Sequence, residues 1–275
     1  MKAVIVALAT IITLSVKADS QVISFLLSEL NRSFDTNVKT EIIKTLKDYN
    51  TDSQVVSDLK RILDNQFGMA AERIEAARSL APLASDASLA QSIIRAHDQS
   101  RDIQFRADMV KCLYKYAPQD QRVKAVLLRN LRENHDERIK VASAFALQES
   151  LTDINTRNEI ISLAENSWQN SNVRIALVKT LYHGMNDSEV RRALERIALN
   201  QGDDLNVRSA ATRIIATQPP GRGYRNVLFD LITNSQSSQL KIRAASGLKF
   251  KLTEEDIQWL GLPIDPRTNS PRNPF

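Results

Sequence analysis

Short apolar segments with the period of a helix recur along this chain. In one of the clearest, Val173, Leu177, Val178 and Leu181 fall at i, i+4, i+5 and i+8, one apolar stripe on a helix surface. Seven segments share such a stripe and a common opening. A basic residue comes first, small or apolar residues follow three and four positions on, and an apolar residue stands seven on. Val173-Arg174-Ile175-Ala176-Leu177 and Val207-Arg208-Ser209-Ala210-Ala211 show it best. Glu72-Arg73-Ile74-Glu75-Ala76 resembles Glu137-Arg138-Ile139-Lys140-Val141 almost position by position, and the other three segments begin Val38-Lys39, Phe105-Arg106 and Leu240-Lys241.

The opening basic residues form a ladder of Lys39, Arg73, Arg106, Arg138, Arg174, Arg208 and Lys241, separated by 34, 33, 32, 36, 34 and 33 positions. A charge so regular over most of the chain marks an internal repeat. Alanine dominates the middle positions (Ala76, Ala77, Ala142, Ala144, Ala210, Ala211, Ala244, Ala245), where small side chains let neighbouring helices approach. Three residues before each opening position stand Asp35, Met69, Asp102, Asn134, Asn170, Asp204 and Ser237; all but Met69 are good N-cap types. A second amphipathic segment lies in every period, as in Val55 to Leu63, Val123 to Leu131 and Val190 to Leu199. Each period therefore reads as a helical hairpin. A lone hairpin cannot bury its apolar face and a stack can, so the predicted fold is all-α, an α-solenoid (superhelix) of about seven two-helix repeats over residues 19–252.

An Asp or Asn, then Val-Arg, Ala-Ala and Leu resembles the second helix of HEAT repeats, particularly the short kind similar to phycobilisome-lyase repeats. A period near 34 also suits tetratricopeptide repeats, but their Trp-Leu-Gly-Tyr signature and repeat-ending proline are missing, which favours the HEAT-like reading. The resemblance implies that second helices line a concave side. It is nearly silent on function.

The ends read differently. Met1-Lys2, an apolar run from Ala3 to Val16 and the small residues Val16 and Ala18 are the pattern of a signal peptide over residues 1–18. This predicts export to the periplasm or outside the cell, with no integral membrane segment in the mature chain. Thr253-Glu254-Glu255-Asp256 resembles a capping box opening a short helix, and four prolines follow, so residues 253–275 read as a capping helix and an extended tail. Gln218-Pro219-Pro220-Gly221-Arg222-Gly223 reads as a surface turn.

Composition narrows the class. There are 7 glycines where average usage gives roughly 19, which disfavours turn-rich β architecture. If Lys2 and Lys17 leave with the signal, the formal charge falls from +5 to +3, weak support for any polyanion. Cys112 is the only cysteine, so the chain has no internal disulfide, and its position on the packed face reads as a buried structural thiol. His97, His135 and His183 show no metal-ligand spacing and read as solvated helix-end residues. No nucleophile elbow, phosphate loop or dinucleotide fingerprint is present.

The ladder reads first as structural, pairing with an acidic or amide group at the adjacent hairpin turn; Asp35, Asp102 and Asp204 are available for that. Five residues beyond it runs a second file, Lys44, Arg78, Lys111, Ser143, Lys179, Arg213 and Ser246, with Lys47, Tyr114, Lys115, Tyr182, His183 and Lys249 close by. On the resemblance, this file would give the concave side a positive stripe. The candidate partner-binding residues are Lys44, Arg78, Lys111, Tyr114, Lys179, Tyr182, Arg213 and Lys249. The expected function is a non-enzymatic protein-interaction scaffold, without cofactor, for an acidic partner. Two alternatives stand beside it: a nucleic-acid-binding HEAT-like protein, against which the low charge and the signal count, and a lyase-like HEAT subunit, drawn from repeat similarity alone.

Overall fold

The computed structural model describes residues 19–217 and 222–248, together with a short pairing in the tail. The expected signal peptide, the centre of the Pro-Pro-Gly turn and the expected capping helix lie outside the described residues. Fourteen helices follow one another: α1 (19–32), α2 (Thr36–Leu46), α3 (Ser53–Asp64), α4 (Ala70–Leu80), α5 (Ala87–Gln99), α6 (Ile103–Cys112), α7 (Gln121–Glu133), α8 (Glu137–Ala146), α9 (Ile154–Glu165), α10 (Ser171–Leu181), α11 (Ser188–Leu199), α12 (Leu205–Ala216), α13 (Arg222–Asn234) and α14 (Ser238–Gly247). Among the described residues the fold is all-α but for β1 (Ile264–Asp265) and β2 (Ser270–Pro271), which pair antiparallel with Ile264 opposite Pro271. Arg222 and Gly223, expected in the surface turn, open α13.

These helices form because one side of each is apolar at helical spacing. In α3, Val55, Leu59 and Leu63 sit at i, i+4 and i+8 and are fully buried, while Asp58 and Arg61 on another face form an ion pair. Asp52 opens this helix by accepting from the amides of Gln54 and Val55, and Asp86, Asp153 and Asp187 serve α5, α9 and α11 in the same way. A fully buried valine or leucine contributes about 1.5–3 kcal/mol, so a three-residue stripe such as this outweighs any single cap or surface pair.

The chain divides into two compact units, residues 1–123 and 124–275. In the first, α3 packs on α4 and α5 on α6 as hairpins, while α2 packs on α4, α4 on α6 and α3 on α5 between hairpins. Its core includes Leu30, Ile43, Leu46, Leu59, Leu80, Ile93 and Met109. In the second, α9–α10, α11–α12 and α13–α14 are the hairpins; α8, α10, α12 and α14 pack in succession, as do α9, α11 and α13. Leu131, Ile139, Ile160, Leu177, Leu194, Val207 and Ile214 fill its core. Within each unit, then, like helices lie on like helices.

Side-chain hydroxyls tie these layers at the helix ends. Ser79 donates to the Ile43 carbonyl, Tyr116 to that of Leu80, and Thr180 to that of Ala144, each spanning thirty-six residues. Carbonyls in the last turn of a helix lack the usual amide four residues on, and these hydroxyls add a donor to them. At the end of α14 the approach is closer still. A Cβ on Gly247 would stand 2.5 Å from Ala216 Cβ and 2.7 Å from Ala216 Cα, so only glycine fits.

Candidate functional site

Part of the ladder is an internal fastening. Arg73, Arg174 and Arg208 are buried, and each Nε donates to a carbonyl ten residues back, in the last turn of the preceding helix: Leu63, Ala164 and Ala198. A cation there also meets the negative end of the helix dipole. Arg174 reaches on to form a two-pronged pair with Asp203 in the next hairpin's loop, and Lys39 pairs with Glu72 at 3.9 Å. Arg73 sets its guanidinium 4.7 Å from the Phe105 ring centre. The expected partners Asp35, Asp102 and Asp204 are occupied instead as N-caps of α2, α6 and α12.

In the fourth repeat the register differs from the one the sequence pattern suggests. The N-cap of α8 is Asp136, whereas the Asn134 carboxamide accepts from the Asp136 amide. Four residues beyond this cap stands Lys140, half-buried and bonded to Gln169 at 3.1 Å; Arg138 is exposed and turned back to Asp136. With Lys140 the ladder separations become 34, 33, 34, 34, 34 and 33. Ser143, placed in the outer file by the earlier register, is consequently fully buried, and Phe145 takes the outer position.

In the first unit the second file gathers around a cleft. The ends of α2, α4 and α6 bring Lys47, Arg78 and Lys111 to one opening of about 330 Å³, completed by Ala81, Pro82, Cys112, Tyr114 and Lys115. Lys115 Nζ lies 4.7 Å from the Tyr114 ring centre. Below the rim, the shielded Asp108 carboxylate holds Lys111 at 2.9 Å and Arg78 at 3.7 Å, while Gln104 donates to its other oxygen. Burial alone would raise the Asp108 carboxyl, but hydrogen bonds from Gln104 and Lys111, with the charges of Lys111 and Arg78, outweigh it and hold the carboxyl below its ordinary value. One anchored anion thus fixes two cations toward the opening. Cys112, at the apolar floor, has its thiol pushed up to about 12 by burial, which makes it a poor nucleophile.

Lys44 stands apart, exposed, outside the cleft lining and paired with Glu41 at 2.9 Å. In the second unit, Lys179 is half-buried and shifted down, by burial first and then by the charge of Arg213. Tyr182 is half-buried too, its hydroxyl shifted up by burial, and its ring meets His183 edge-on at 5.6 Å. Arg213, expected on an open stripe, is 5% exposed and backs a separate opening of about 260 Å³ with Asn172, Asn206, Gln239 and Arg243. Lys249 lies outside the described residues. The predicted file thus resolves into the exposed Arg78 and Lys111 with a half-buried Tyr114 beside them, and a more sheltered set of Lys179, Tyr182 and Arg213. Of the histidines, only His135 is exposed; His97 is 1% exposed and bonded to Asp98, and burial lowers the affinity of His183 for a proton.

No protein-family model matches this chain, and no curated protein matches it in sequence.

A longer loop went unseen in the sequence pattern. In it, Asn65, Asn166 and Asn200 follow their helices and accept from the amide two residues on, which belongs to Phe67, Trp168 and Gly202. The turn holds Phe67 and Trp168 out of the fold, at 89% and 95% exposure. The three repeats with this loop are those whose ladder arginine donates to the carbonyl two residues before the asparagine. Among the described residues no helix is long and apolar enough to cross a membrane.

Proposed function

We propose that this chain is a non-enzymatic protein-interaction scaffold, exported to the periplasm or extracellular space, built as an α-solenoid of about seven HEAT-like hairpins. The regular succession of like helices inside each unit supports the architecture, and the even ladder spacing supports a single repeat throughout. One observation carries the function: Lys47, Arg78, Lys111 and Lys115 converge on one apolar-floored opening, with two of the cations set in place by a shielded carboxylate. Fixed cations around apolar surface favour an acidic protein partner, because the ordering cost falls before binding rather than during it.

The test is affinity capture from the exported fraction with the purified chain and with a Lys47→Glu/Arg78→Glu/Lys111→Glu variant. A partner released by moderate salt and absent from the variant's eluate is expected. Identical partners on both proteins would reject the basic face as the binding surface.

A further inference from the structure

We infer that the cleft at the ends of α2, α4 and α6 seats a single apolar side chain from an acidic peptide segment. The inference rests on the partner-binding reading above and gives the partner its chemistry. Ala81 and Cys112 are buried at the base of the cleft, Pro82 and Tyr114 add apolar wall, and Lys47, Arg78, Lys111 and Lys115 complete the lining. About 330 Å³ lies at the lower edge of small-ligand sites, roughly 300–1,000 Å³. A wide opening of that size suits one inserted side chain with the rest of its chain crossing the rim.

The charges choose the flanking residues. Arg78 and Lys111 already face carboxylates, Asp108 near both and Glu75 beside Arg78 at 3.4 Å. The exposed Lys47 and Lys111 stand at the opening, where glutamates or aspartates on either side of the inserted residue would meet them. Lys47 makes no ion pair among the described residues. A nucleic acid fits less well. Its bases need open aromatic faces for stacking, and the one ring here already carries the Lys115 cation over it. Its closely spaced phosphates would also run over Glu75 and Asp108.

The experiment is fluorescence anisotropy of the purified chain with two labelled peptides. One has a phenylalanine between two runs of glutamate; the other has serine in its place. The phenylalanine peptide should bind at least about tenfold more tightly, the value of one well-buried apolar side chain. Lys111→Glu should abolish binding, and Lys47→Glu, at an exposed position that leaves folding intact, should weaken it severalfold. Equal binding of the two peptides would overturn the seat while leaving a charge-driven partner surface intact. No binding of either peptide, with capture of the natural partner still lost in the triple variant, would overturn the inference alone. No peptide binding and no variant-sensitive capture would overturn both. Tighter binding of a labelled oligothymidylate than of the phenylalanine peptide would replace the peptide by a nucleic acid.

Discussion

A buried arginine is costly unless its charge and its donors are all engaged, and Arg174 shows how this chain engages them. Its guanidinium is 1% exposed, with Nε on the Ala164 carbonyl and both terminal nitrogens on Asp203. Asp203→Ala leaves that charge without its counterion and should cost about 3 kcal/mol in urea unfolding, the lower end for breaking a buried pair. The hydrogen bonds from Arg174, opposed by burial, hold the Asp203 carboxyl below its ordinary value. A depressed folded value gives stability that is present above the unfolded carboxyl's pKa and is lost as pH falls through the folded one. Below about pH 4 the wild type should therefore lose stability more steeply than Asp203→Asn, measured as melting temperature against pH. Gly247→Ala forces a methyl into Ala216 and should destabilise by about 1–3 kcal/mol, with Ala216→Gly in the same chain restoring part of the loss. Cys112 should resist a maleimide at pH 8 in the native state and react once urea exposes it.

At the scale of the helix, most boundaries were legible because caps are local chemistry. Asp35, Asp102, Asn170, Asp204 and Ser237 cap the helices they were expected to open. The fourth repeat misled because Arg138 and Lys140 both offer a cation, and only the Asp136 cap decides which one faces inward. Asn134 is a good cap type, so the residue before it could not correct the register. The long loops were hidden for a related reason. Asn31 stands four residues before its cap, as Asn65, Asn166 and Asn200 do, yet it lies inside α1 and donates to the Leu27 carbonyl. Helix α4 is the one second helix capped by a residue without a cap oxygen, since Met69 is 57% exposed and makes no side-chain bond. Met69→Ser would place a serine three residues before Glu72, and should raise stability by about 0.5–1 kcal/mol, read as a higher melting temperature.

For the whole chain, periodicity carried the class of fold and the neighbour relations inside each unit, because a stripe repeated every thirty-odd residues has few ways to be buried. The candidate site was less legible. Spacing along a helix places Arg78, Lys111, Lys179 and Arg213 in one file, but exposure depends on what packs above each, and Arg213 is covered where Lys111 is open. Nor does spacing reveal Asp108, which the pattern treats as an ordinary polar residue and the structure sets beneath two cations. Trp168 follows the same logic in reverse, for a turn anchored by Asn166 keeps its indole in water. With Trp259 replaced by phenylalanine, the emission of Trp168 in the folded protein should already have the long wavelength of a solvated indole, so denaturation would scarcely move it. A shift of that emission to the blue on mixing would then report a second molecule laid over the ring, which makes Trp168 a built-in optical sensor for contact along the loop edge.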